Sequence, residues 1–406
     1  MSIYIKRYLE EIIIQASKTF KILYVSGPRQ VGKTTLLKHL SAKKSFNYIS
    51  LDDINIRNLA QTDPELFLQK YPSPLFIDEA QYAPELFPYL KLKVDQKKQN
   101  GQYWLSGSQH FSLIKNIQES LAGRVALLNL LGLSLGEIYQ LKRNKEPFIP
   151  HDNLQPKINL DINEVFQHIL KGSFPVLWTK NSPDRELFFN SYLQTYLERD
   201  LKEMFQIEKI SLFYKFLQLC AARTGQILNY SDLANNCEIS VSTAKKWISI
   251  LETSWQIYLL KPYYNNFSKR LIKTPKLYFL DTGLAAYLSR WTNAEVLLNG
   301  SMAGNFFENF VVSEIIKSYL FRGKNPPLYY FRDKEKHEVD ILLEKDQILY
   351  PLEIKMTAMT QKKHFSHIEY LRKKLPNLGP GTLLSLYHTT LPFNKNNQVI
   401  PAYFIS

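Results

Sequence analysis

Gly27-Pro28-Arg29-Gln30-Val31-Gly32-Lys33-Thr34 is the stretch on which the reading of this chain turns. It fits the spacing G-x-x-x-x-G-K-[ST]. Before it runs Lys21-Ile22-Leu23-Tyr24-Val25-Ser26, β-branched and aromatic, the composition of a buried strand. After it, Thr35-Leu36-Leu37-Lys38-His39-Leu40 has helical spacing. Strand, glycine-bearing loop and helix in that order make a phosphate cradle. The glycines let the backbone curl so that its N–H groups point inward. The helix presents its positive end to the same oxygens. Gly27, Pro28, Arg29, Gln30, Val31, Gly32, Lys33, Thr34 and Thr35 are the expected nucleotide-binding residues. Lys33 can reach the β- and γ-phosphates, and the Thr34 hydroxyl can ligate Mg²⁺. Arg29 reads as a solvent-side residue of the loop.

The apolar run Leu75-Phe76-Ile77 delivers Asp78 and Glu79 at its end. Asp78 is placed to hold Mg²⁺ and Glu79 to polarise an attacking water. Ser106-Gly107-Ser108-Gln109 follows another strand. Ser108 or Ser106 there could meet the γ-phosphate, or the segment is a plain turn. Arg124 is a candidate for neutralising transition-state charge, from the same or a neighbouring subunit, and otherwise an ordinary surface arginine. Further strands are expected at Phe46–Asp53 and Val125–Leu133, and a helix at Ser2–Ser17. Strands alternating with helices predict a mostly parallel sheet covered on both faces.

A polar, proline-bearing stretch, Lys142–Asn159, reads as a linker. Helical patterns then run from Ile162 to about Cys220. Ile227–Ala234 opens a helix with Ser231 or Asp232 as its cap. Ile239–Trp247 opens a second, and Leu259–Asp281 reads as a hairpin. Helix, turn, helix and hairpin is a winged-helix order. In a DNA reader Ser242, Thr243, Lys245 and Lys246 face the groove or its phosphates. The hairpin stretch carries Lys261, Lys269, Arg270, Lys273 and Lys276 up to Leu280 without an acid, interleaved with Tyr263, Tyr264 and Phe267, which suits phosphate contact. The same order also serves as a packing module over an ATPase core.

Toward the C-terminus, Glu308 lies on a helical stretch at Gly304–Tyr319. Asp340 sits in the strand Glu338–Leu343, and Glu353 and Lys355 share one face of the next strand. An Asp, then Glu-x-Lys, with a helical Glu upstream, resembles the restriction-endonuclease-like nuclease core. There two carboxylates bind Mg²⁺ and the lysine orients or activates water. Val339 stands where that core usually has proline, and such folds also occur without cleavage.

Taken together, Gly27–Thr35, Leu75–Gln81, Leu105–Ser108 and Ser120–Val125 resemble a group of prokaryotic predicted ATPases of the AAA superfamily. The later segments Gly172–Trp178, Tyr196–Leu201, Phe279–Leu288, Phe306–Ile315 and Glu338–Lys355 extend the resemblance over nearly the whole chain. It implies ATP rather than GTP, in keeping with no N-K-x-D motif after the fourth strand. The expected architecture is α/β. An AAA-like P-loop ATPase domain spans 1–145, and a helical lid or linker spans 146–222. A winged-helix domain spans 223–298, and a restriction-endonuclease-like domain spans 299–406.

Composition bounds the rest. The chain has 406 residues, a formal net charge of +14, 45% hydrophobic residues and 2 cysteines. It is expected to fold, to lack a disulfide framework, and to meet a polyanion. No apolar run of membrane-spanning length and no secretory leader is visible, so a cytoplasmic protein with no membrane partner is expected. The leading functional expectation is an ATPase whose nucleotide state controls a DNA-interacting, Mg²⁺-dependent nuclease module. The alternative is an ATP-dependent switch that binds a protein partner through an inactive nuclease-like domain. Self-association is compatible with both, and a small-molecule kinase lacks an acceptor motif.

Overall fold

Apolar runs with no polar alternation form strands buried on both faces, and three such runs build the first sheet. They are β1 (Ile22–Ser26), β3 (Leu75–Asp78) and β4 (Tyr103–Gly107), each buried along its whole length. With β2 (Asn47–Ser50) and β5 (Val125–Asn129) they form a five-stranded parallel sheet ordered β2-β3-β4-β1-β5. The computed structural model describes residues 4–107, 120–150, 158–197, 209–263 and 274–405. Ser108, Lys269, Arg270 and Lys273 lie outside the described residues.

Strand β1 is central, with Ile22 in register with Tyr103 on one side and Val125 on the other. The C-terminal ends of β1, β3 and β4 therefore open on one edge, where open α/β sheets bind ligands. The first helix is Leu9–Thr19 and not Ser2–Ser17; Tyr8 is its N-cap, and Arg7 and Tyr8 send their side chains to Val31 O and Leu141 O. Strand β5 ends at Asn129 and not Leu133. Leu131 and Gly132 leave the sheet and give their carbonyls to Arg7.

Helices Ile162–Lys171, Arg185–Thr195 and Ile210–Ala221 follow. Next come β6 (Gln226–Ile227), helices Tyr230–Cys237 and Val241–Thr253, β7 (Ile257–Pro262) and β8 (Lys276–Phe279). Asn229, not Ser231 or Asp232, caps the first of these helices, accepting from Asp232 N at 3.1 Å. Strand β8 pairs antiparallel with both β6 and β7.

The helix Ala303–Leu320 leads into β9 (Leu328–Arg332), β10 (Glu338–Lys345) and β11 (Ile348–Ile354), an antiparallel meander. Helix Ser366–Arg372 crosses to β12 (Gly381–Ser385), which runs parallel to β11. The hairpin of β13 (Leu391–Asn394) and β14 (Asn397–Pro401) completes the edge. Strand β7 pairs parallel with β9, Lys261 against Tyr329, so one nine-stranded sheet crosses residue 298. Among the described residues no helix is long and apolar enough to cross a membrane.

Helix Ile162–Lys171 carries a buried histidine. His168 stacks on Trp178 at 4.8 Å, and its Nε2 lies 2.8 Å from the Tyr139 hydroxyl. Burial lowers its pKa from 6.5 to about 4. A depressed histidine gives stability that is full above the unfolded value and is lost as pH falls towards the folded value. Between pH 6.5 and 4 the loss should approach about 1.4 kcal/mol per pH unit. Urea unfolding of His168→Phe at pH 7.5 and pH 5 should show a flatter pH response than the parent chain. An identical response in both proteins would remove His168 as its source.

Candidate functional site

The loop after β1 has the backbone its sequence requires. Gly27 and Gly32 take φ values of +154° and +91°. A Cβ on Gly27 would lie 1.9 Å from Leu130 O, so only glycine lets the loop pass β5. Lys33 heads the helix Lys33–Ser41 and is buried. Its ammonium donates to Gly27 O at 2.9 Å and Pro28 O at 2.7 Å. A triphosphate entering the loop offers that ammonium an anionic partner in place of two carbonyls.

The strand ends bring the remaining residues together. The Thr34 hydroxyl donates to Asp78 Oδ1 at 3.1 Å, and the Ser106 hydroxyl donates to the same oxygen. Tyr48 OH donates to Asp78 Oδ2 at 3.2 Å. A hydroxyl and a carboxylate side by side beside the loop fit a hydrated Mg²⁺, with Thr34 and Asp78 as its holders. Glu79 follows with φ +57°, a left-handed turn that swings its carboxylate off the strand, where it accepts from the Gln81 amide. Ser106 is the serine of the fourth strand that the structure places at Asp78.

Arg124 is not brought to the loop. It precedes β5, and its carbonyl accepts from Ile22 N at the start of β1. The loop leaves the other end of β1, about 16 Å away at strand rise. Its guanidinium instead grips Asp95 through two bonds of 2.6 and 2.8 Å. That pairing corrects the reading of Arg124 as a charge-neutralising group within its own subunit.

Arg7 was not singled out by sequence reasoning. It is 3% exposed and donates to Val31 O at 2.8 Å, Leu131 O at 2.8 Å and Gly132 O at 3.3 Å. Its Nε meets Glu137 Oε1 at 3.1 Å. The planar five-donor guanidinium thus ties the phosphate loop to the segment after β5. Glu137 also closes a capping box with Ser134. From that segment, Leu135 N donates to Glu314 Oε2 at 2.9 Å, and Lys317 Nζ donates to Leu133 O at 3.0 Å. Glu314 and Lys317 belong to the helix Ala303–Leu320.

The same helix carries Glu308 into a second cluster with Asp340, Glu353 and Lys355. Lys355 Nζ lies 3.1 Å from Asp340 Oδ2 and 2.9 Å from Glu353 Oε2, and Ile354 N donates to Asp340 Oδ2 at 2.8 Å. Asp340, Glu353 and Lys355 are therefore together, and Glu308 joins them through Lys276. Burial and the adjacent Asp340 push the Glu353 carboxyl well above its usual range. Burial raises the Asp340 carboxyl, but Lys355 and Lys276 outweigh it, and the net direction is downward.

Lys276 corrects an expectation. The basic stretch suits phosphate contact, yet Lys276 is 3% exposed and faces carboxylates. Its ammonium sits 2.6 Å from Glu338 Oε1, 3.2 Å from Glu308 Oε1 and 4.0 Å from Asp340 Oδ1. Tyr278 OH donates to Glu308 Oε1 at 2.5 Å. Burial lowers the Lys276 pKa, but the acidic groups around it outweigh burial and raise it well above its ordinary value. A divalent ion about 4 Å from that ammonium would meet a repulsion on the order of 8 kcal/mol at an effective dielectric of 20, and the carboxylates could offset it only by giving up their bonds to Lys276 and Lys355. The residues present do not fit a Mg²⁺ in this cluster. Of the neighbouring polar residues, Glu338 joins the cluster, Arg332 pairs with Glu338 at 3.0 Å, and His337 stacks on Tyr370 at 3.7 Å.

The parallel sheet, its loop and the Asp78 cluster define a P-loop nucleoside triphosphatase. Residues 19–139 match the AAA domain family model, which supports an AAA-type ATPase unit there. Residues 162–295 and 303–405 match two domains of unknown function, DUF8612 and DUF4143. The chain is 28% identical over 339 residues to the uncharacterized protein Rv2008c of Mycobacterium tuberculosis, covering 83% of this chain and 70% of that protein. It is 26% identical over 355 residues to the uncharacterized protein MJ1637 of Methanocaldococcus jannaschii, covering 79% and 72%. The Walker-type ATPase PABY2304 of Pyrococcus abyssi superposes with a TM-score of 0.44 at 15% identity, over 70% of this chain and 96% of that one. RuvB of Thermotoga maritima superposes with a TM-score of 0.26 at 14% identity, over 62% and 85%.

Two variant sets test this site. Lys33→Ala should abolish binding of a fluorescent ATP analogue, whereas Glu79→Gln should bind it normally and hydrolyse at least 100-fold more slowly, within the range for a lost general base. Normal turnover by Glu79→Gln would take the water-activating role away from Glu79. Arg7→Met leaves Glu137 buried without its counter-charge and Val31 O without its donor. It should cost about 3–5 kcal/mol in urea unfolding and weaken nucleotide binding. A change below about 0.5 kcal/mol, typical of an ordinary surface site, would show that Arg7 does not brace the loop.

Proposed function

We propose that this chain is an ATP-hydrolysing switch that acts on DNA, with its nucleotide state passed along the helix Ala303–Leu320. The observation that carries the reading is that one helix touches both ends. Glu314 and Lys317 bond the segment that Arg7 ties to the phosphate loop, and Glu308 and Asn309 bond β8 of the hairpin. Loop N–H groups and Lys33 take the phosphates. Mg²⁺ held by Thr34 and Asp78 offsets phosphate charge, and Glu79 orients and polarises the water. Ser106 keeps the Asp78 carboxylate in place.

Helix Val241–Thr253 supports the DNA side. Ala244, Trp247, Ile248 and Leu251 face the core, while Ser242, Lys245 and Lys246 are exposed and Thr243 is half-buried. With the helices before it and the β6-β8-β7 strands, this matches a winged-helix order with its second helix outward. The last hundred residues carry the Asp, Glu-x-Lys pattern that a nuclease reading would need. The carboxylate cluster does not fit a metal, so the reading adopted is the switch and not the cutting enzyme. Arg124 stands at an exposed sheet edge, so any role it has in hydrolysis requires self-association and a neighbouring subunit.

Fluorescence anisotropy with duplex DNA tests the proposal. Binding should fall steeply with salt, and Lys245→Ala with Lys246→Ala should reduce the log–log slope by about 2. ATP should shift the affinity of Glu79→Gln, and adding Glu314→Ala should abolish that shift while the protein still binds ATP. A flat salt response would reject the DNA partner. An ATP shift that survives Glu314→Ala would reject the helix as the route.

A further inference from the structure

We propose that Lys276 is a built-in cation that fills the metal position of the C-terminal carboxylate cluster, so that the cluster as folded takes no Mg²⁺ or Mn²⁺. The nuclease-like arrangement of Glu308, Asp340, Glu353 and Lys355 demands a divalent ion between its carboxylates. Here most of those oxygens already hold a partner. Asp340 Oδ2 accepts from Ile354 N and Lys355, and Asp340 Oδ1 faces the Lys276 ammonium at 4.0 Å. Glu308 Oε1 accepts from Lys276 and Tyr278, and Glu338 is held between Lys276 and Arg332.

Lys276 is positioned from outside the unit that holds the carboxylates. It opens β8, whose Phe279 is clamped by Asn309, with Phe279 N to Asn309 Oδ1 at 2.8 Å and Asn309 Nδ2 to Phe279 O at 2.7 Å. Strand β8 is thereby fixed beside Glu308 on the adjacent helical residue, with the Lys276 side chain buried. One oxygen is left over: Glu353 Oε1 is buried in a residue 1% exposed and has no hydrogen-bond partner. A divalent ion would need one or two of these carboxylates free to bind it, with water completing its oxygen shell. Lys276 replaces it with a single positive charge carried on a side chain, and it needs no metal to keep the carboxyls together.

The test is Mn²⁺ binding to the full chain without nucleotide, followed by electron paramagnetic resonance. The parent protein and its Asp340→Asn variant should give the same weak binding. Lys276→Met should gain one site at least tenfold tighter, and Lys276→Met with Asp340→Asn should lose it. An Asp340-dependent site in the parent protein, or no gain in a folded Lys276→Met, overturns the proposal. Should Lys276→Met fail to fold, acylation of the parent protein mapped by mass spectrometry decides the matter. Lys276 should stay unmodified with and without 5 mM Mn²⁺, a concentration chosen on the order of weak surface binding. Modification that rises on adding Mn²⁺ would show that metal displaces the lysine, against the proposal.

Discussion

The helix Ala303–Leu320 is buried along almost its entire length, including Asn309, Ser313, Glu314 and Lys317. A helix without a solvent face must find partners for every polar side chain it carries. Glu314 bonds Lys317 and Leu135 N, Lys317 bonds Leu133 O, and Asn309 bonds both backbone groups of Phe279. Those partners come from the ATPase unit and from the hairpin strand β8. The position of the first sheet against the second therefore depends on satisfying this one helix. Replacing its buried ions by apolar residues could leave stability unchanged, but removing one partner alone is costly. Their effect is to fix register.

The phosphate loop is held by the same kind of constraint. Arg7 reaches Val31 O in the loop and Leu131 O beyond β5, so the loop cannot shift without moving the segment that contacts Glu314 and Lys317. Glu137 accepts from Arg7, from Tyr8 N and from Ser134 N, which leaves that segment little freedom of its own. Gly172, at φ +77°, lets Ser173 approach Asp281, and Ser173 O accepts from Leu133 N at 2.7 Å. The helical region thus closes on the same short segment.

Local signals were legible and long-range ones were not. The loop Gly27–Thr34 and Asp78-Glu79 declare themselves because strand, turn and helix residues stand in sequence. Asp340, Glu353 and Lys355 could be brought together because a hairpin with a short turn fixes the pairing. Arg7 could not be found, since Glu137 lies 130 positions away and a lone arginine before a helix carries no signal. Arg124 kept several readings open in the sequence, and the pairing of β5 along β1 puts it at the end of the sheet away from the loop. Lys276 was misread for a related reason. Its own stretch lacks acids, but Glu308 arrives from 32 residues downstream, and Glu338 and Asp340 from the next unit. A basic run in sequence says nothing about which lysine folding will bury.

Both buried ionic sets lie on one helix, six residues and about 9 Å apart. Separating a single pair within either set strands a charge in a low-dielectric interior. A shift imposed at the phosphate loop is therefore cheaper as a rigid displacement of the helix than as the breaking of any one contact. Glu308 and Asn309 would move with it, and β8, clamped at Phe279 and held through Lys276, would follow. The physical warrant for coupling is an element with two discrete arrangements that both sites bias. In this fold the helix Ala303–Leu320 with β8 attached has contacts at both ends, which is what such an element would require.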